Sequence, residues 1–372
     1  MKVPVNEPVI TPEAARHVAD VMASGWISSG GPAVARFEAR FAEFIGVRHA
    51  VTTNSGTTAL HVALVALGIG PGDEVILPDF TMIAPVDAVL YTGATPVFVD
   101  VDPQTFTLDP ALVPRALSPR TRAILPVHVY GHSADMDPLR ELARERGLAV
   151  VEDAAEAHGA TYKGRRCGGL SDIAAFSFYA NKIVTTGEGG MVVTDDAALA
   201  GRARRLRDMA HSPERRFVHN EPGFSYRMSA LQAACGLGQL EHVEEFLRHK
   251  RWMAVEYGRR LSGIAGLRLP LTRPWAGNVH WMYTVVVDDA FPLSRDALCR
   301  ALRERGVETR DFFASAARQP LLAGRVSAQG PFPVSEDAAA RGLYLPSGLA
   351  LTQAQIDHVC AAIADVAVRA RR

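Results

Sequence analysis

Three stretches of the chain hold residue types that could act together in one reaction. The first is Ser177-Phe178-Tyr179-Ala180-Asn181-Lys182-Ile183-Val184-Thr185-Thr186-Gly187-Glu188-Gly189-Gly190. Its one lysine, Lys182, lies between two short apolar segments, 172–176 and 191–194, each bounded like a buried strand. A lysine on a short turn between core strands cannot easily snorkel to bulk water. Partial desolvation lowers its pKa, and the neutral amine is a nucleophile able to form a Schiff base with an aldehyde. A surface-turn lysine would give the same string, so this stretch alone does not decide.

The second stretch is Glu152-Asp153, directly after the apolar run Leu148 to Val151. An acid at the end of a buried strand is costly unless a cation pairs with it, either a side chain or a protonated ring nitrogen of a ligand. A capping Asp for the next turn is the plain alternative. The third stretch is Asn54-Ser55-Gly56-Thr57-Thr58, between a strand over 50–53 and a helix over 59–67 that Gly68 closes. Backbone N–H groups and the positive helix end meet at such a turn, which suits a phosphate.

The elements that must position these groups alternate along the chain. Helices are predicted over 12–23 and 33–45, then strand 74–77, helix 81–90, strand 96–99, helix 110–116, strand 123–127, helix 135–146 and strand 148–151. The strands are continuous apolar runs, which marks a mostly parallel sheet buried on both faces by helices. Ligands bind such sheets at the carboxyl ends of the strands. A long helix or broken pair over 229–261 leads to strand 280–287, helix 294–304, strand 342–345 and a terminal helix 352–369. The expected organisation is α/β: a large domain over 1–250 with an N-terminal arm, and a small α+β domain over 251–372. Trp275, Trp281 and Tyr283 either line a substrate mouth or pack this small domain, and core packing is the favoured reading.

Composition narrows the function classes. The chain has 372 residues, 40 basic and 40 acidic, and 48% of it is apolar. A balanced charge recruits neither nucleic acid nor anionic membrane. The basic runs at 202–207, 215–216 and 369–372 suit solvated helix faces and a tail. The four cysteines are far apart and no Cys-x-x-Cys occurs, so neither a zinc site nor a disulfide framework is expected. Asp153, Glu156 and His158, or His128 and His132, would make an incomplete metal site, and none is expected. The first ten residues lack a signal-peptide core, and no apolar run is long enough to span a bilayer, so a cytoplasmic protein is expected.

Taken in order, these stretches carry a resemblance. Asn54 to Thr57, Glu152 to Gly159, Ser177 to Lys182 with Thr185 to Gly190, and Tyr226-Arg227-Met228 with Leu231 to Ala234 resemble the DegT/DnrJ/EryC1/StrS family of sugar aminotransferases. The similarity spans nearly the whole chain. It implies a fold-type I transferase with a seven-stranded mixed sheet, pyridoxal phosphate as cofactor, and a homodimer with shared active sites. Lys182 would hold the cofactor as a Schiff base and Asp153 would pair with its ring nitrogen. Gly56, Thr57 and Ser177 would bind the phosphate, Met82 would lie on the ring, and Glu156 near the ring hydroxyl. Arg227 would reach the phosphate of the neighbouring subunit. Asp79 to Ala84, Glu156 to His158 and Ser212 to Arg216 most resemble the branch that aminates C4 of GDP-linked 4-keto-6-deoxymannose. Glutamate or glutamine would be the donor. A 3-keto sugar nucleotide, a cyclitol ketone such as scyllo-inosose, or dehydration on the same fold are the alternatives, though the dehydratases typically replace the lysine by histidine.

Three positions depart from the family pattern. Ser225 replaces an Asn before Tyr226-Arg227, Met82 replaces an aromatic, and Ala317 replaces a His in the segment Arg310 to Pro320.

Overall fold

The computed structural model describes residues 1–212, 214–215, 217–324 and 330–371. The main sheet takes strands β1 (His49–Thr53), β2 (Glu74–Pro78), β3 (Thr95–Val99), β4 (Thr121–Ile124) and β5 (Ala149–Asp153). After a ribbon formed by β6 (Thr161–Tyr162) and β7 (Arg165–Arg166), it also takes β8 (Ile173–Ser177) and β9 (Gly190–Thr194). The order across the sheet is β1-β9-β8-β5-β4-β2-β3, and β9 alone runs against its neighbours. A second, antiparallel sheet has β10 (Leu267–Arg268), β12 (Tyr283–Val287), β13 (Arg310–Asp311) and β14 (Gly342–Leu345) in the order β10-β12-β14-β13, while β11 (Ala276–Gly277) joins the β6–β7 ribbon. The sequence reading expected no strand in that ribbon, whose two-residue members carry no periodicity.

The helices are α1 (Pro12–Ser24), α2 (Pro32–Ile45), α3 (Gly56–Ala66), α4 (Ala84–Tyr91), α5 (Met136–Arg146) and α6 (Ala197–Arg207), followed by α7 (Ala230–Leu240), α8 (Val243–Leu261), α9 (Arg295–Glu304), α10 (Pro333–Arg341) and α11 (Gln353–Arg369). Their ends follow local chemistry. The Thr11 hydroxyl caps α1 by accepting from Ala14 N–H, Pro12 opens the helix, and Gly25 closes it at φ 74°.

Several boundaries differ from expectation for identifiable reasons. α3 starts at Gly56 rather than Ala59 because Ser55 and Thr58 form a capping box. β4 ends at Ile124, two residues before Pro126, which has no N–H to donate to a ladder. β12 begins at Tyr283 because His280 adopts a left-handed φ of 48°. The helix expected over 110–116 is a short 3-10 turn over Val113–Ala116, and α4 starts at Ala84 rather than Thr81.

Among the described residues two apolar cores result. The larger surrounds the main sheet and includes Phe37, Phe41, Phe176 and Phe178, all fully buried. The second joins α8, α9 and α11 to the second sheet, through Tyr257, Tyr283, Leu298 and Ile363, and it also takes in Val3. The basic runs are paired as well as solvated: Arg202 meets Glu221, Arg207 meets Glu38, and Arg369 meets Asp365, whereas Arg216 and Arg372 lie outside the described residues. No helix among the described residues is long and apolar enough to cross a membrane.

Candidate active site

The carboxyl ends of β1, β5 and β8 converge on a cavity of about 330 Å³. Ser55, Gly56, Thr57, Met82, Asp153, Glu156, Ser177 and Lys182 all line it. Every sequence-predicted site residue except Arg227 is therefore brought to one place.

The floor is the start of α3. The capping box engages Ser55 and Thr58, so the N–H groups of Gly56 and Thr57 are left for a ligand at the positive helix end. The Ser177 hydroxyl closes this cradle. A Cβ on Gly56 would sit 2.7 Å from Ser177 Cβ, so only glycine lets β8 approach the turn.

Lys182 hangs on the β8–β9 connection. Phe178 N–H donates to Gly189 O, Thr186 N–H to Phe178 O, and Lys182 N–H to Tyr179 O. The backbone of the turn is thus fixed, and the side chain enters the cavity. Burial lowers the pKa of Lys182, opposed by Glu156 and Asp153. Its Nζ lies 3.6 Å from Glu156 Oε1 and 3.9 Å from the centroid of the Trp281 ring.

β5 continues through Glu152 and Asp153, rather than ending before them. Asp153 N–H donates to Pro126 O and His128 N–H to Asp153 O, which extends the ladder. Consecutive strand residues face opposite sides, so the two acids part. Asp153 faces the cavity, with Oδ1 accepting from Ala155 N–H at 3.0 Å. Burial raises its pKa, which a cation in the cavity would reverse. Glu156 is pushed up to about 7 by burial, and its Oε2 accepts from Tyr130 N–H at 2.7 Å. His158 is held neutral, pushed down to about 3, by burial among Phe41, Phe176 and Phe178.

Glu152 faces away, into a buried cluster with His128 and Cys167 whose ligand atoms lie within 4.8 Å of one another. The sequence reading did not connect Cys167 with either residue. The Glu152 and His128 atoms are already engaged. Glu152 accepts from His128 Nε2, Gly168 N–H, Leu170 N–H and the Ser171 hydroxyl. Burial disfavours the imidazolium of His128 while Cys167 and Glu152 favour it. Ala134 N–H donates to Nδ1, so that nitrogen is an acceptor and the ring proton sits on Nε2. The cluster is a satisfied polar network behind the site.

Trp281, Phe313 and Tyr344 close the cavity on the side of the second sheet. Trp281 answers to both expectations: it is buried in the larger core rather than in that of the small domain, and its ring also faces Lys182 in the cavity. Trp275 packs on His132 and Tyr162, and Tyr283 sits in the second core. The segment containing Ala317 is clamped from the large core, since Asp79 O accepts from Ala316 N–H and Asp79 Oδ1 from Ala317 N–H, both at 2.8 Å.

Arg227 points elsewhere in its own chain. Its guanidinium donates to Asp208 at 2.6 Å and to the Ser225 hydroxyl at 2.9 Å. Pro213 and Arg216 of the Ser212 to Arg216 motif lie outside the described residues.

The donor set fits a phosphorylated pyridine aldehyde. An anion cradle, a buried carboxylate for a ring nitrogen and a desolvated amine for an aldehyde share one cavity, with the Met82 thioether beside them.

Residues 8–364 match the DegT/DnrJ/EryC1/StrS aminotransferase family. The chain is 46% identical over 356 residues to the GDP-perosamine synthase of Caulobacter vibrioides, covering 95% of each. It is 44% identical over 341 residues to the dTDP-3-amino-3,4,6-trideoxy-alpha-D-glucose transaminase of Streptomyces venezuelae, covering 91% of this chain and 88% of that one. Among solved structures, S. venezuelae DesV in complex with a ketimine intermediate superposes with a TM-score of 0.90 at 43% identity, covering 97% and 95% of the two chains. Spr1654 of Streptococcus pneumoniae in its PLP form gives 0.94 at 25% identity, covering both chains fully.

Proposed function

The chain belongs to the DegT/DnrJ/EryC1/StrS aminotransferase family, and on that premise we propose that it carries nitrogen from glutamate or glutamine to C4 of GDP-linked 4-keto-6-deoxymannose. The product would be a perosamine-type 4-amino sugar. The enzyme class is a pyridoxal-phosphate-dependent transaminase. The observation that carries the reading is the meeting of Lys182, Asp153 and the start of α3 in one cavity.

Gly56 and Thr57 N–H and the Ser177 hydroxyl would hold the cofactor phosphate, Met82 would lie against the ring, and Glu156 near its hydroxyl. Lys182 would hold the aldehyde as a Schiff base. When bound, pyridoxal phosphate supplies the electron sink that lets a proton leave the carbon bearing nitrogen. Asp153 keeps a positive charge favourable at the ring nitrogen. Lys182, once free, takes that proton as general base and returns it as general acid. Tyr130 N–H fixes Glu156, and the walls of Trp281, Phe313 and Tyr344 exclude water.

The GDP-sugar assignment rests on the 46% relative and on the motifs Asp79 to Ala84 and Glu156 to His158. A dTDP-linked 3-keto sugar is the second reading, supported by the 44% relative. We read the working unit as a cytoplasmic homodimer with shared sites. Met82 and Tyr179 line the cavity yet are 49% and 48% exposed, a surface that a second copy would cover. Arg227 would then serve the partner's phosphate. Residues 1–250 are read as the cofactor-binding unit and 251–372 as the smaller unit that walls it.

The test loads the protein with pyridoxamine phosphate and offers GDP-, dTDP- and UDP-linked 4-keto and 3-keto sugars, following recovery of the pyridoxal form by absorbance. A response to GDP-4-keto-6-deoxymannose alone is expected. A response confined to dTDP-linked 3-keto sugars would replace the acceptor. A response to cyclitol ketones alone would remove nucleotide sugars altogether.

A further inference from the structure

Trp281 is held more tightly than a wall residue requires. Its indole N–H donates to Asn181 O at 2.8 Å, and Asn181 is the neighbour of Lys182 in the chain. Its backbone carbonyl accepts from Lys250 Nζ at 2.9 Å. Lys250 is itself 1% exposed and spends a second proton on Ser347 O. Tyr130 lies nearly parallel to the indole, at 6.3 Å and 15°. The ring therefore keeps one orientation relative to the lysine turn, with its face towards Nζ.

Glu156 is oriented by the same neighbour. Tyr130 N–H occupies Oε2, which leaves Oε1 to face Lys182. The Lys182 ammonium thus meets an aromatic face on one side, 3.9 Å from the centroid, and a carboxylate oxygen on another, at 3.6 Å. Such a pair favours the charged amine in a place where water is scarce.

We propose that the Trp281 face and Glu156 Oε1 form a dock for the Lys182 ammonium during the part of the cycle when its nitrogen carries no bond to the cofactor. This rests on the reading of Lys182 as the cofactor-holding amine. The dock gives the released side chain one position instead of many. The indole can hold the cation but cannot take its proton, whereas Glu156 can. The proton that Lys182 gains would therefore stay on the Lys182–Glu156 pair until it is returned.

The test reads the free lysine directly. The protein is loaded with pyridoxamine phosphate, so that Lys182 is unbonded, and labelled with trace acetic anhydride across a pH series. Mass spectrometry then reports the midpoint for each lysine. Accessibility changes the plateau of such a curve, and proton affinity changes its midpoint. Trp281→Leu is expected to move the Lys182 midpoint down by about one pH unit, a tenfold loss of proton affinity, with exposed Lys2 and Lys163 unmoved. Trp281→Phe, which keeps a ring face, should restore part of the shift. Glu156→Gln should move the midpoint the same way, and it carries the test if Trp281→Leu does not fold. An unmoved midpoint in either variant overturns the dock. Borohydride trapping on the unsubstituted chain separates the two ideas. If cofactor is trapped on Lys182 while the midpoints stay put, only the dock fails. If trapping falls on another residue, the assignment of Lys182 fails and takes the dock with it.

Discussion

A Cβ on Gly190 would lie 2.1 Å from the carbonyl oxygen of Ser55. The first residue of β9 and the cap of α3 therefore touch backbone to backbone, and the proposed phosphate cradle rests on that contact. Gly190→Ala must push Ser55 away and misalign the N–H groups of Gly56 and Thr57. Pyridoxal phosphate affinity should fall at least tenfold, measured by titration of the cofactor-free protein. Gly263→Ala, where a Cβ meets nothing within 4 Å, is the control and should bind normally. Equal affinity for both variants would mean that the cradle does not depend on this contact.

Asp153→Asn removes the charge that faces the cavity and keeps the shape. Turnover should fall by about 10²-fold or more, in line with the loss of one preorganised electrostatic contact, while the thermal midpoint shifts by no more than a few degrees. A variant with near-normal turnover would show that Asp153 does not hold the ring nitrogen.

Lys250 predicts a pH dependence of stability. Burial lowers its pKa from 10.5 to about 7. Below about pH 7 both folded and unfolded chains hold the proton, and the folded state bears the full desolvation cost. Between about 7 and 10.5 only the unfolded chain holds it, so this group makes stability rise with pH, by up to about 1.4 kcal/mol per pH unit. Lys250→Met should remove that rise. Urea unfolding at pH 7.5 and 9 reads the difference in slope between variant and native chain. Parallel slopes would mean that Lys250 titrates near its ordinary value.

The network of Glu152 should be expensive to break. Glu152→Ala strands His128 Nε2 and the N–H groups of Gly168 and Leu170 in a dry interior, and leaves the Ser171 hydroxyl only Ile173 O as a partner. A loss of about 3–5 kcal/mol is expected in chemical denaturation. A loss below about 1 kcal/mol would mean that water replaces the carboxylate.

The apolar runs made the parallel sheet legible, and the Lys182 and Asp153 motifs were legible because their chemistry needs specific neighbours close in the chain. What escaped was set by contacts between distant segments. Trp281 lies about a hundred residues from Lys182, and nothing in its surroundings distinguishes a core indole from one facing a cavity. The meeting of His128, Glu152 and Cys167 depends on the register of β5, which runs through Asp153 rather than stopping at Val151. The start of β12 was misjudged because a left-handed histidine leaves no mark in an apolar run. The resemblance gives Arg227 a use in a neighbouring subunit, while within its own chain its guanidinium pairs with Asp208 and Ser225.

The arm at residues 3–7 has a consequence for the order of folding. Val3 donates to Gly306 O and accepts from Glu308 N–H, Val5 O accepts from Ser347 N–H, and the Asn6 amide reaches Asn181 O. Residues 3–5 are thus completed by residues 306–347, which are made much later. At ribosomal speeds of roughly 5–20 residues per second, the arm waits on the order of 15–60 s for its partners. During that interval the second core lacks Val3, and the Lys182 turn lacks the contact from Asn6. The lysine loop can therefore reach its final form only after residues 306–347 have been made and have bound the arm.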